Sequence, residues 1–372
     1  MSTVSPSTRT VVPPNVDSVT SPLSPSALLA GARIHNRYRV IAHLGGGVNG
    51  EVYRVFDEHQ RIEVALKLLD PSRRPPGGWW VEAESLTALR GDYILPILNA
   101  DDEAGVPFIV TEIMENGSAA DRIVPDIGVP TDQACAWVQQ ACTGVARLHD
   151  KGILHTDIKP ANLFLDRDDN VLVGDFGLVC PMDAHGNGHA TGSAETLAPE
   201  VYITAATNAR TDVYSLGATL YELLAGHWLN PAIAPLTDPT VVFPIVAKHI
   251  PVPIGNVAPH VPQGLRGIVM KAVDPSPARR YATPTELAAA IGGRTRPRRT
   301  WVRTPPCIGH SMCFTGTRPH AATYLVCAVP TGSRGRHEIR SYQSSGRRLL
   351  PWSEVARAQV TSKLRARMSE LT

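Results

Sequence analysis

The stretch that most constrains this chain is His-Thr-Asp-Ile-Lys-Pro-Ala-Asn-Leu-Phe, residues 155–164. It sets an aspartate, a lysine and an asparagine on one short loop at fixed offsets. Asp157 can accept a hydroxyl proton, Lys159 can neutralise a phosphoryl group, and Asn162 can ligand a metal. Further on, Asp175-Phe176-Gly177 adds a second metal-binding carboxylate followed by a flexible glycine. That spacing suits transfer of a phosphoryl group from a nucleotide to an alcohol, where positioning and charge neutralisation supply most of the catalysis.

Upstream, Tyr38 to Leu44 and Glu51 to Phe56 alternate like strands. Between them Gly45, Gly47, Gly50 and Val52 fit the spacing G-x-G-x-x-G-x-V, and missing side chains let backbone amides approach phosphate oxygens. Many glycine-rich hairpins bind nothing, so this signal is weak alone. A third strand, Ile62 to Leu69, carries Ala65 and Lys67, and a lysine on an apolar strand is costly without a partner. Glu82, Leu86 and Leu89 recur at helical spacing within Trp80 to Arg90, which turns Glu82 toward the core; the bland alternative is a solvated acid. Phe108 to Thr111 reads as a strand, and Thr131 to Lys151 as a helix opened by a Thr-Asp cap, with Trp137, Cys142, Val145 and Leu148 on its apolar side. Val179 to His189 is polar, Gly-rich and aperiodic, and predicts a mobile loop. Asp212 to Gly217 and Leu220 to Gly226 read as a buried helix with small residues on one side, and Pro284 to Ile291 as a final helix.

In these ordered motifs, residues 37–292 resemble the bacterial members of the eukaryotic-type (Hanks-type) Ser/Thr protein kinases. Each motif is weak alone; the set is specific. The resemblance implies a bilobal α+β fold with a small β-rich N-lobe and a larger helical C-lobe. By it, Asp157 is the base and Lys159 its catalytic partner, and Lys159-Pro160 favours Ser/Thr over Tyr acceptors. Gly45, Gly47, Gly50, Val52, Ala65, Lys67 and Glu82 surround ATP. Glu112 and Met114 lie on the hinge that pairs with adenine, behind Thr111 as gatekeeper, and Asn162 and Asp175 hold Mg2+. Ala198-Pro199-Glu200 and Arg280 resemble a structural ion pair, Asp212 belongs to the structural motif Asp-Val-Tyr-Ser-Leu-Gly, and Thr191 and Thr196 are candidate phosphorylation sites. The implied activity is that of a non-specific serine/threonine protein kinase (EC 2.7.11.1) that acts on protein substrates and on itself. Alternatives are a nucleotide-binding pseudokinase scaffold, which usually lacks one of Lys67, Asp157, Asn162 or Asp175, and a small-molecule phosphotransferase, which lacks Ala-Pro-Glu.

The chain departs from the family in three places. Thr156 stands where most members have arginine, with Arg147 or Arg210 as possible substitutes for its charge. Ser193 replaces a threonine. Asn230 to Pro262 is proline-rich and poor in helical signal, which leaves the usual helix there open.

Organisation follows composition. Residues 1–33 are rich in Ser, Thr and Pro and read as a disordered arm. Residues 34–293 carry the kinase motifs, 294–300 form a basic linker, and 301–372 form a small α+β appendage of unknown type. There Thr323 to Val329 and Arg336 to Tyr342 predict strands, and Trp352 to Leu371 a basic amphipathic helix. The net charge of +2 hides an asymmetry. From Arg294 onward there are 15 Lys+Arg against 3 Asp+Glu; the remainder carries 21 against 31. A basic segment on an acidic body can bind anions or dock on that body. The segment shows no nucleic-acid motif, and an interaction or autoregulatory module with an unknown partner is the first choice. With no secretory signal and no apolar run long enough for a membrane span, the expected location is cytoplasmic, with reduced thiols. Cys307, His310, Cys313 and Cys327, with His320, offer zinc-type ligands, but their irregular spacing reads first as small core residues.

Overall fold

A computed structural model describes residues 30–47, 50–70, 91–103, 105–233, 236, 239–248, 250–333 and 335–372. The N-terminal arm up to Leu29, the glycine-loop tip Val48-Asn49 and the expected helix with Glu82 lie outside the described residues. The chain divides into two compact units, residues 1–76 with 101–110, and residues 77–100 with 111–372.

The first unit is built on a six-stranded sheet: β1 (Arg33–Ile34), β2 (Tyr38–Gly47), β3 (Gly50–Asp57), β4 (Ile62–Leu69), β6 (Val106–Thr111) and β5 (Ile97–Glu103), in that spatial order. The pairs β2–β3 and β3–β4 are antiparallel hairpin neighbours. Period-two alternation buries Tyr38 and Val40, Tyr53 and Val55, Val64 and Leu66, and Phe108 and Val110. Each side chain so buried contributes roughly 1.5–3 kcal/mol of apolar transfer. The alternation leaves Ala65 and Lys67 half-buried on the opposite face, with Val52 directly across from Lys67. Gly50, at φ +130°, is the position where the loop needs glycine. A Cβ there would collide with the Leu68 carbonyl oxygen across the hairpin.

The second unit centres on α1 (Thr131–Asp150), which buries Trp137, Cys142, Val145 and Leu148 as its periodicity predicts. Its start differs from the expected cap. Pro130 is the cap residue, Thr131 is already inside the helix, and the Thr131 hydroxyl is buried without a partner. After α1 come β7 (Ile153–Leu154), the hairpin β8 (Leu163–Leu165) with β9 (Val171–Val173), and β10 (Cys180–Pro181) and β11 (Asn187–His189). Then follow α2 (Pro199–Thr204), β12 (Ala206–Asn208) and α3 (Ala209–Ala225). Asn208 caps α3 by accepting from the Arg210 amide at 2.9 Å, and Gly226 ends it at φ +75°. Gly217 on α3 lets the backbone pack against Ala272 and Val273, the expected small-residue side. The region 230–262 answers what the sequence leaves open. It contains α4 (Pro239–Ala247), with Pro244 inside it, and the short α5 (Ile254–Val257). Val242 and Val246 pack with Ile233 into a satellite cluster, so burial of an apolar stripe outweighs the helix-breaking cost of proline. The loop 179–189 also differs from expectation: β10 pairs with β7, and β11 with β12. Next in the chain are α6 (Gln263–Ala272) and α7 (Pro284–Gly292), the latter packed on α1.

The C-terminal appendage is a five-stranded antiparallel meander of β13 (Thr300–Thr304), β14 (Met312–Thr317), β15 (Tyr324–Pro330), β16 (Arg336–Gln343) and β17 (Ser353–Ala356), followed by α8 (Val360–Glu370). The two strands expected from sequence are β15 and β16. The expected helix begins later, because residues 353–356 pair with β16 first. Trp301, Phe314, Val326, Ala328, Ile339, Val360, Leu364 and Met368 form its core. The basic linker is ordered by hydrogen bonds. Arg294 bonds Asp132 and the Ile291 carbonyl, each at 2.8 Å; Arg299 bonds the Gly316 and Ala322 carbonyls and stacks 3.6 Å from the Tyr324 ring centre. The appendage rests on the helical body through His260 against Phe314, 5.7 Å between ring centres, and Arg365 to Asn256 at 3.4 Å.

Candidate active site

The loop 155–162 is suspended between two short antiparallel pairings. Leu154 in β7 is held by Cys180, and Leu163 in β8 by Val173. Ile158 and Leu163 are fully buried and pin the loop from below. This brings three sequence-predicted residues together. The Asn162 amide Nδ2 donates to the Asp157 carbonyl at 2.7 Å and to Asp157 Oδ2 at 3.0 Å. Lys159 Nζ lies 3.3 Å from Asp157 Oδ2 and 3.6 Å from Glu195. Burial works against the Lys159 charge, but the carboxylates of Asp157 and Glu195 outweigh it and raise its pKa, so the ammonium stays protonated at neutral pH. Ser193 completes the group: its amide donates to Asp157 Oδ1 at 3.0 Å, and its hydroxyl accepts from Lys159 at 2.6 Å. The arrangement thus already accommodates an alcohol oxygen beside the lysine, with the aspartate oriented by donors on both oxygens.

Beneath the loop, the fully buried Asp212 carboxylate gathers three donors. They are the backbone amides of His155 at 3.0 Å and Thr156 at 2.9 Å, and His149 Nε2 at 2.7 Å. Burial pushes this carboxyl up, but the bonds from His149 and the backbone, with the nearby imidazoles, hold it below the ordinary value. Thr156 sits in the left-handed region at φ 64°, and its hydroxyl donates to the Leu178 carbonyl at 2.6 Å. His155 Nε2 lies 3.1 Å from the Gly174 carbonyl, which fixes the strand end just before Asp175. Asp175 is also left-handed, at φ 60°, and its Oδ1 accepts from the Gly177 amide at 3.4 Å. Hard cations take oxygen ligands. The Asp175 carboxylate supplies such a donor, and so does the Asn162 amide oxygen, since the nitrogen of that amide is committed to Asp157. The donor set fits magnesium.

Glu112 and Met114 follow β6 and, with Ile113, Glu115 and Leu172, line a shallow pocket in the second unit; Thr111 ends β6 with its hydroxyl on the Glu112 carbonyl at 3.3 Å. Gly45, Gly50, Val52, Ala65 and Lys67 lie on β2 to β4 of the first unit. Gly47 closes the β2–β3 hairpin opposite Gly50. Glu82 falls outside the described residues.

Arg280, with no exposed side-chain surface, grips Glu200 through two parallel bonds of 2.6 and 2.7 Å. Thr191 is half-buried, whereas Thr196 is 2% exposed and its carbonyl accepts from Ser215. Glu195 and His149 are the site neighbours that sequence reasoning missed. A lone acid in an aperiodic loop and a histidine at the end of a helix carry no local signal. Ser193 was visible only as a replaced threonine.

The protein kinase domain family matches residues 38–243. Serine/threonine-protein kinase PrkC of Bacillus subtilis is 29% identical over 278 residues, 71% of this chain and 41% of its own length. Serine/threonine-protein kinase PknB of Mycobacterium leprae is 30% identical over 270 residues, covering 69% and 43%. Serine/threonine-protein kinase PknL of Mycobacterium tuberculosis is 29% identical over 274 residues, covering 71% and 67%. The chain therefore spans about two fifths of the length of the first two. With Asp157, Lys159 and Asn162 on one loop, its Asp-Phe-Gly turn and its Glu200–Arg280 pair following in order, the chain belongs to the protein kinase domain family.

Proposed function

We propose that this chain is a serine/threonine protein kinase that transfers the γ-phosphoryl group of ATP to protein hydroxyls, its own included. The observation that carries the reading is the close grouping of Asp157, Lys159, Asn162 and Ser193, every link within 3.3 Å. In this reading Asp157 orients the acceptor hydroxyl and takes its proton, while Lys159 sets positive charge beside the transferred group. Asn162 and Asp175 are the magnesium ligands, and bound magnesium neutralises phosphate charge as the bond to the leaving group breaks. Lys67 supplies a further cation to the phosphates, with Glu82 as its partner; Gly45, Gly47 and Gly50 offer backbone amides, and Glu112 and Met114 offer backbone to adenine. The class is the non-specific serine/threonine kinases (EC 2.7.11.1). Use of ATP as donor fits a cytoplasmic place. The basic C-terminal segment is a regulatory or interaction module.

The pair Glu200–Arg280 favours protein over small-molecule acceptors, since small-molecule phosphotransferases of this fold lack Ala-Pro-Glu. The test is transfer of radiolabelled γ-phosphate to the chain itself and to a generic basic protein. Asp157→Asn should lower the rate by about 10²- to 10⁴-fold, the usual contribution of a general base. Asp175→Ala should abolish both magnesium dependence and transfer. Wild-type protein that binds ATP yet transfers no phosphate would turn the reading into that of a scaffold.

A further inference from the structure

Cys307, His310, Cys313 and Cys327 come together at one end of the appendage sheet. Their ligand atoms, one per residue, all lie within 4.8 Å of one another. The three cysteines are thiols rather than disulfides. His320, the other candidate from sequence, is not in the group. From this arrangement we infer that the appendage binds one structural zinc ion through these four side chains.

The geometry begins with the strands. Cys313 in β14 and Cys327 in β15 are directly opposite each other, so both side chains project from the same face of the sheet. Their neighbours Phe314 and Val326, also opposite each other, project from the other face into the core formed with α8. The two cysteines lie outside that core, yet they are 0% and 1% exposed. What covers them is the connection between β13 and β14. Its tight turn has the His310 amide bonded to the Cys307 carbonyl at 2.9 Å and Gly309 at φ 77°.

Apolar packing does not hold that turn. Its one large apolar side chain, Ile308, is fully exposed at 103%. The turn closes instead on sulfur. The Cys307 amide donates to Cys313 Sγ at 3.3 Å, and His310 Nδ1 lies 3.4 Å from the same sulfur. Around a tetrahedral zinc with the usual Zn–S and Zn–N lengths, sulfur–sulfur edges are about 3.8 Å and sulfur–nitrogen edges about 3.6 Å. The 3.4 Å His310–Cys313 edge fits that figure. An amide donating to a ligand sulfur is the kind of supporting contact that orients thiolates around a metal.

Three thiolates and an imidazole are ligands for zinc rather than for magnesium or calcium, which prefer oxygen. Four protein ligands leave no position open for substrate, so the ion is structural. With three thiolates and a neutral imidazole the site carries one net negative charge, in a segment where 15 Lys+Arg face 3 Asp+Glu. A Cys313–Cys327 disulfide is the competing chemistry, and it would leave Cys307 and His310 without a role.

The test uses the full chain, purified under reducing conditions without chelator. Elemental analysis should find one zinc per chain, released in step with titration of three thiols by an organomercurial. Cys307→Ser and His310→Ala, both on the surface turn, should each lose most of the zinc while keeping the circular dichroism of the parent. Cobalt reconstitution should give the absorption bands of a tetrahedral thiolate site, with weaker sulfur charge transfer in Cys307→Ser. Wild-type protein that retains no more metal than Cys307→Ser after incubation with zinc and desalting overturns the inference. So does a Cys313–Cys327 disulfide found by peptide mass analysis in protein kept reduced. The measurements do not depend on phosphoryl transfer.

Discussion

Replacing Glu200 by glutamine should destabilise the second unit far more than any exposed ion pair does. The Arg280 side chain has no exposed surface. Besides Glu200 it donates to the carbonyls of Asp274 at 2.7 Å, Arg210 at 3.1 Å and Pro275 at 3.3 Å, and it lies 4.7 Å from the Tyr214 ring centre. These neutral partners fix the guanidinium in place, and among the described residues Glu200 is the carboxylate in direct contact with it. Glutamine keeps the shape but turns an amide N–H toward a guanidinium N–H and removes the negative charge. Leaving one partner of a buried pair uncompensated costs roughly 3–5 kcal/mol. The internal control is Arg279, whose side chain is 68% exposed in its pair with Asp274; Arg279→Ala should move the unfolding midpoint far less than Glu200→Gln. Urea unfolding near neutral pH reads both, as a fall in midpoint at constant slope. Adding Arg280→Met to Glu200→Gln should recover part of the loss, because the orphan charge goes with the arginine. A Glu200→Gln cost no larger than that of Arg279→Ala would refute the reasoning.

Three further outcomes follow from the same geometry. Burial and the nearby Glu195 push the Glu222 carboxyl up to about 7 from 4.5, so the stability its protonated form contributes is complete below 4.5 and lost as pH rises through 7. Glu222→Gln should therefore match wild type in acid and exceed it by up to ~3 kcal/mol in alkaline buffer, read as the pH dependence of the urea midpoint. Asp212 works the other way. Its depressed pKa contributes stability above 3.8 that is lost as pH falls below it. Asp212→Asn should cost about 2–4 kcal/mol at neutral pH, with the gap closing in acid. Finally, phosphatase treatment or Thr191→Ala/Thr196→Ala should lower transfer to an exogenous substrate by less than tenfold, about 1.4 kcal/mol of transition-state stabilisation; a larger loss would show that a phosphate on this segment matters.

The parts legible in sequence were those whose signal is local. The offsets from Asp157 to Asn162 fix residues on one loop, and period-two alternation fixed which faces of β2, β3 and β4 turn inward. Proline content left α4 open, because the burial that stabilises Val242 and Val246 is a tertiary effect. The start of α8 was misplaced for a similar reason: the pairing of Glu338 with Glu354 is set by the neighbouring strand, not by the helical pattern around it. Strands β13 and β14 are short and flanked by proline and glycine, and their alternation becomes visible only once their partner is known. The cysteine cluster is the plainest case. Spacings along the chain look irregular because two ligands come from a turn and two from opposed strands, so only the register brings them together.

The segment from Asp175 to Pro199 is ordered without the arginine that the family resemblance leads one to expect in place of Thr156. A buried arginine there would need an anion to balance it. Thr156 needs only one acceptor, and the Leu178 carbonyl supplies it at 2.6 Å. The cations named as substitutes are engaged elsewhere: Arg147 bonds Asp92 at 2.9 Å, and Arg210 bonds the carbonyls of Pro277 and Arg280 at 3.1 and 3.3 Å. The segment is held instead by its own backbone. β10 lies on β7, β11 lies on β12, and the Ser193 amide rests on Asp157. Each neutral bond of the strand pairings contributes about 0.5–1.5 kcal/mol net, and the bond to the Asp157 carboxylate somewhat more, so together they match what one charge-assisted phosphate anchor supplies. The Ser193 amide and the Leu178 carbonyl end on the loop 155–162 itself, at Asp157 and Thr156. The Ser193 amide on Asp157 and the Thr156 hydroxyl on Leu178 therefore tie the position of this segment to the position of the Asp157 carboxylate.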